Sequence, residues 1–127
     1  MFRPQGIIVP IATPMKDDET VNETELRAQV TRQIAGGIHG IFALGTNGEV
    51  YALTTAEKLE VIRIVVDETR KRVPVYAGTG CIGTRETVWM SRQAKELGAD
   101  ALSVISPSFV AVSQEERYRH YSTIAGA

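Results

Sequence analysis

Short apolar runs alternate with longer amphipathic stretches along the whole chain, in a repeat of roughly thirty residues. Residues 6–12 (Gly-Ile-Ile-Val-Pro-Ile-Ala) are rich in β-branched side chains and end at Thr13-Pro14, which predicts a strand whose proline restricts its pairing. Residues 15–21 form a charged loop. Asn22 with Glu25 has the spacing of a capping box, and Leu26, Val30 and Ile34 make one apolar stripe before Gly36-Gly37 stops the helix. Ile41-Phe42-Ala43-Leu44 is too short for a helix, is bounded by glycine, and reads as a fully buried strand. Thr54 with Glu57 opens a second helix. Leu59, Ile62 and Val66, widened by Val61 and Val65, carry it to Arg70-Lys71-Arg72, a basic cluster suited to a helix C-terminus.

Residues 73–77 predict a third buried strand, with Pro74 near its start where a missing N–H is tolerated. A helix capped by Thr84 runs through Trp89, Met90 and Leu97 and ends at Gly98. Residues 101–105 give a fourth strand closed by Ser106-Pro107, and Ser113 with Glu116 caps a helix lined by Tyr118, Tyr121 and Ile124. Strand then helix, repeated without a hairpin signal, predicts an α/β fold with a parallel sheet and right-handed crossovers. A doubly wound sheet can stand on four such strands, whereas a (β/α)8 barrel needs twice as many units. Both put ligands at the carboxyl ends of the strands, where this chain is polar and Gly-rich.

Composition narrows the function classes. The 127 residues, 43% of them apolar, suffice for one domain. Fourteen basic against fifteen acidic residues, without a basic block, leave no footprint for nucleic acid or an anionic membrane. Small neutral or anionic metabolites suit the chain better. No apolar run approaches the ~20 residues of a membrane span, and the N-terminus Met1-Phe2-Arg3-Pro4-Gln5 lacks a signal-peptide core, so a cytoplasmic location is expected. Cys81, alone, forms no internal disulfide or cysteine-built metal site. With His39 and His120 both remote in sequence, it reads as a buried or semi-buried thiol. His39 reads as a turn or packing residue, and Tyr51 and Tyr118 as interface or helix packing.

Two loops carry candidate chemistry. In Gly45-Thr46-Asn47-Gly48-Glu49 the glycines let the backbone turn and a ligand approach. Thr46 offers a hydroxyl, and successive N–H groups of such a turn can converge on a small carboxylate or phosphate. The same residues also describe an ordinary Gly-rich connection. Gly78-Thr79-Gly80-Cys81-Ile82-Gly83 matches G-x-G-x-x-G after a strand, which raises dinucleotide binding through Gly78, Gly80 and Gly83. The expected helix cap at Thr84 lies beyond the third glycine, and Asp100 precedes its strand instead of ending it, so the ribose-binding acid is missing.

The segments Val9-Pro10-Ile11-Ala12-Thr13-Pro14-Met15, Leu44-Gly45-Thr46-Asn47-Gly48-Glu49, Val75-Tyr76-Ala77-Gly78-Thr79-Gly80 and Ser106-Pro107 together resemble the N-terminal half of the dihydrodipicolinate synthase / N-acetylneuraminate lyase family. Order and spacing agree over essentially the whole chain. The resemblance implies a TIM barrel of which residues 1–127 are a single partial unit, the first four βα units. It implies a Schiff-base lyase, aldolase or synthase acting on pyruvate or a related 2-keto acid, without metal or organic cofactor, in a homo-oligomer that is usually a tetramer. By the same resemblance Gly45, Thr46 and Asn47 hold the keto acid's carboxylate, and the Thr46 hydroxyl serves proton transfer. Asn47 stands where many members have Thr or Ser. Phe109 stands where the dihydrodipicolinate synthases proper have a relay tyrosine; a phenyl group carries no proton, which leans toward an aldolase or lyase.

The family's Schiff-base lysine and acid/base tyrosine belong to later strands. Imine formation needs a neutral amine, and Lys58 and Lys95 read as helix residues, Lys71 as part of a basic turn, all away from the carboxyl face. Lys16 adjoins Asp17, Asp18 and Glu19, which favour its charged form. The isolated chain is therefore expected to lack the nucleophile and to be inactive. If four Val, Ile or Leu side chains of a half barrel's inner face stayed exposed, ~6 to 12 kcal/mol would be lost, comparable with a whole domain's stability of ~5 to 15 kcal/mol. A fragment, a truncated chain, or half of an assembly is the expectation. A non-catalytic half barrel that binds a keto acid or pairs with itself is the alternative.

Overall fold

A computed structural model describes residues 3–127, so Met1 and Phe2 of the N-terminal stretch lie outside the described residues. The strands β1 (Ile8–Pro10), β2 (Gly40–Ala43), β3 (Val75–Gly78) and β4 (Ala101–Ser103) alternate with the helices α1 (Glu23–Ala35), α2 (Thr55–Thr69), α3 (Thr84–Glu96) and α4 (Gln114–Ala125). All neighbouring strands are parallel and lie in sequence order, β1-β2-β3-β4.

That order decides between the two architectures. When every crossover is right-handed and steps to the next strand in the same direction, every helix falls on the same face of the sheet. Burial agrees. Ile41, Ala43, Val75 and Ala77 point to one face and are closed over by Leu26, Val30, Ile62, Val65 and Ala94 of the helices. On the opposite face the register aligns Pro10, Phe42 and Tyr76, with Ser103 beside Gly78, and no helical layer covers them. This is the singly wound arrangement of a barrel's first half, and the doubly wound alternative falls.

Local chemistry explains most boundaries. Thr54 with Glu57 and Ser113 with Glu116 both form reciprocal capping boxes. Asn22 does only half of this. Its side chain accepts from the Glu25 N–H at 3.1 Å, but the Glu25 carboxylate turns to Arg32 at 2.6 Å, a stronger charged partner than a backbone N–H. At α3 the cap is Gly83, not Thr84, which is the first helical residue; its hydroxyl meets His120 Nδ1 at 2.8 Å. α2 stops at Thr69, because Arg70 is left-handed, and the basic cluster lies past the end. Arg72 reaches back to the Glu68 and Thr69 carbonyls at 2.7 and 3.0 Å.

Both outer strands are shorter than the apolar runs that contain them. Before β1 the His39 ring fills the space beside Gly6, and Nδ1 accepts the Ile7 N–H at 3.1 Å. After β4 the backbone of Ile105 leaves the sheet to pack against Gly80. Tyr121 holds that exit, donating to the Val104 carbonyl at 3.2 Å and lying 3.0 Å from Ser106 Oγ.

Candidate active site at the carboxyl edge of the sheet

The site is built where β2 ends. Leu44 is buried in a left-handed conformation, φ +62°, unusual for a non-glycine residue, and this swings the chain out of the sheet into a single 3-10 turn, Thr46–Gly48. Glu49, also left-handed, closes the turn with its N–H on the Thr46 carbonyl at 3.0 Å.

Two neighbours hold this corner. Gly48 sits so close to the Ile11 carbonyl and Thr13 hydroxyl that a Cβ would lie 3.2 and 3.3 Å from them. Thr13 Oγ1 donates to the Gly48 carbonyl at 2.7 Å. On the other side a Cβ on Gly78 would collide with the Leu44 carbonyl. Gly78 and Gly80 thus serve backbone-to-backbone packing, which gives these two glycines of the G-x-G-x-x-G spacing a structural reason that needs no phosphate.

Between these ends lies a cavity of about 220 Å³, lined among others by Phe42, Gly45, Thr46, Tyr51, Gly78 and Ser103. No lining residue is charged. Its polar equipment is the hydroxyls of Thr46, Tyr51 and Ser103. Thr46 and Asn47, opening the turn, have N–H groups with no carbonyl inside the turn to accept them. The uncharged hydroxyls around this small, partly apolar space, beside a turn whose first N–H groups have no acceptor within it, suit a carboxylate attached to a short carbon chain.

Of the residues singled out from sequence, Gly45 and Thr46 meet in this cavity. Asn47 is exposed on the turn outside the lining. Phe109 is 93% exposed, left-handed at φ +69°, and also outside it. Tyr51 departs from its packing assignment: its hydroxyl lies 3.1 Å from Thr46 Oγ1. Tyr118 is exposed. Thr13 and Ser103 escaped sequence reading because their roles depend on contacts between strands far apart in the chain. The position of Thr13 right after the first strand was the one signal available.

No lysine lines the cavity. Lys71 bonds the Gly98 carbonyl and Asp100, and Lys95 lies on α3. Lys58 corrects the expectation that it lies away from the carboxyl face. It stands in the first turns of α2, close enough to Cys81 for its charge to favour the thiolate. Burial, and then the Glu86 carboxylate, nevertheless push the Cys81 thiol up. Among the described residues no group of three or more His, Cys, Asp or Glu is placed to hold a metal ion, and no helix is long and apolar enough to cross a membrane.

The model of the dihydrodipicolinate synthetase family matches residues 3–127. The 4-hydroxy-tetrahydrodipicolinate synthase of Pelobacter propionicus is 45% identical over 127 residues, covering 100% of this chain and 43% of its own length. That of Methanopyrus kandleri is 42% identical, covering 99% of this chain and 42% of its own. A crystal structure of the chloride-inhibited dihydrodipicolinate synthase from Acinetobacter baumannii complexed with pyruvate superposes with a TM-score of 0.95 at 41% identity, covering 97% of this chain and 42% of that one. A prophage protein of the dihydrodipicolinic acid synthase family from E. coli K12, in complex with pyruvate, gives 0.93 at 34% identity, covering 95% and 41%. The chain thus spans well under half the length of the relatives it matches.

Proposed function

The chain belongs to the dihydrodipicolinate synthetase family, and on that premise we propose that it carries the carboxylate-binding half of a Schiff-base lyase, aldolase or synthase acting on pyruvate or a related 2-keto acid. The observation that carries this reading is the uncharged cavity in which the Gly45-Thr46 corner meets Gly78 and Ser103. The keto acid's carboxylate lies against the N–H groups of Thr46 and Asn47, and the Thr46 hydroxyl handles the proton. The attacking amine comes from outside this set of residues, because none of Lys16, Lys58, Lys71 and Lys95 lines the cavity. The assembled enzyme is a homo-oligomer, a tetramer by family resemblance. That two solved relatives hold pyruvate supports the substrate class.

Borohydride reduction of the full-length protein in the presence of pyruvate tests this. A covalent adduct on a lysine other than these four is expected. No adduct, or an adduct on one of the four, overturns it. The uncovered sheet face favours a second reading, a non-catalytic half barrel that pairs with itself. A stable dimer of residues 1–127 by ultracentrifugation, together with a full-length protein that forms no adduct, would establish that reading instead.

A further inference from the structure

The hydroxyls of Ser91, Ser106 and Ser113 serve the fold, meeting Thr79 Oγ1 at 2.9 Å, the Tyr121 hydroxyl at 3.0 Å and the Glu116 N–H at 3.2 Å. The Ser103 hydroxyl has no hydrogen-bond partner among the described residues, although it stands on a regular strand, β4, and is partly buried. The register pairs Leu102 with the helix-facing Ala77 and Ser103 with Gly78, so Ser103 faces the cavity, which it lines. Gly78 offers no side chain between Ser103 and the Gly45-Thr46 corner, and the wall around them is apolar, with Phe42, Leu44, Val50 and Ile105. An unpaired hydroxyl on such a wall gives the fold nothing that a methyl group would not.

We propose that Ser103 is a specificity-determining residue, selecting 2-keto acids that carry a hydroxyl on C3, the carbon next to the carbonyl, over those that carry an alkyl group there. β2 and β4 stand two strand spacings apart, on the order of 10 Å. With its carboxylate held at the corner after β2, the keto acid extends over Gly78 toward β4, and a hydroxyl on C3 meets the Ser103 hydroxyl, which can donate or accept. A methyl group in that place leaves Ser103 unpaired and displaces the water that would otherwise satisfy it. The role is recognition: no bond of the reaction forms or breaks at Ser103.

The inference rests on the Schiff-base reading, and its test separates the two. Borohydride trapping by the full-length protein is measured against concentration for pyruvate, 3-hydroxypyruvate and 2-ketobutyrate, the last two differing only in a hydroxyl for a methyl group. The ratio of trapping efficiencies, 3-hydroxypyruvate over 2-ketobutyrate, is independent of how much of a variant is folded. It is expected to fall about three- to tenfold in Ser103→Ala and to stay within about twofold of wild type in Ser103→Thr, which keeps the hydroxyl. An unchanged ratio in Ser103→Ala overturns the proposal, as does an equal fall in Ser103→Thr. So does a Ser103→Ala protein that traps none of the three, which marks a merely structural role. A wild type that traps none of the three overturns the Schiff-base reading, and this proposal with it.

Discussion

The Thr13 hydroxyl donates to the Gly48 carbonyl across 35 residues of sequence, at 2.7 Å and out of contact with solvent. It ties the loop after β1 to the turn after β2, so the corner that shapes the cavity is held from outside itself. Thr13→Val keeps the shape and removes the donor, leaving a buried carbonyl unpaired at a cost of about 1–3 kcal/mol. Urea unfolding is expected to show this loss, and Thr13→Ser, which keeps the hydroxyl, to recover most of it.

Gly78 admits no side chain, because the Leu44 carbonyl occupies the place of a Cβ. Gly78→Ala is expected to destabilise by at least about 1–3 kcal/mol, since backbone and not a flexible side chain must move. At Gly83 a Cβ meets nothing within 4 Å, and φ −92°, ψ 135° suits an N-cap. Gly83→Ser is therefore expected to stabilise by a few tenths of a kcal/mol, and so to raise the melting temperature slightly. Parallel thermal melts check both.

The capping carboxylates make stability pH-dependent. The Thr54 hydroxyl, and then its backbone N–H, hold Glu57 below its usual 4.5. The backbone and hydroxyl of Ser113 do the same for Glu116. A carboxylate depressed on folding stabilises fully above its unfolded pKa, and the contribution is lost as pH falls through the lower folded value. Melting temperature is expected to be flat from pH 7 to 5.5 and to fall below pH 4.5. Glu57→Gln is expected to flatten part of that fall.

Burial, first, and the Glu86 carboxylate keep the Cys81 thiol protonated at neutral pH. Alkylation by iodoacetamide is expected to be slow at pH 7 and to accelerate only above the ordinary thiol range. Cys81→Ala is expected to leave pyruvate trapping by the full-length protein unchanged. Trapping lost in that variant would assign the sulfur a role that its surroundings do not suggest.

The sequence by itself determined the alternation of strand and helix, since apolar periodicity and capping chemistry act within one turn of chain. Thr54 with Glu57 and Ser113 with Glu116 formed the boxes their spacing requires. Where a competing charge came within reach, as Arg32 did for Glu25, the local rule gave way. Periodicity left open which face the helices cover, because either architecture permits the same elements; the family resemblance pointed to a barrel, and the strand order shows it. The corner residues Gly45 and Thr46 were legible as a loop after a buried strand. Their supports, Thr13 on Gly48 and Leu44 on Gly78, were not, because each joins segments about thirty residues apart whose adjacency exists only once parallel strands pair. Tyr51 lay close enough in sequence to be noticed, but its hydroxyl reached Thr46 only through two successive turns that no periodicity announces.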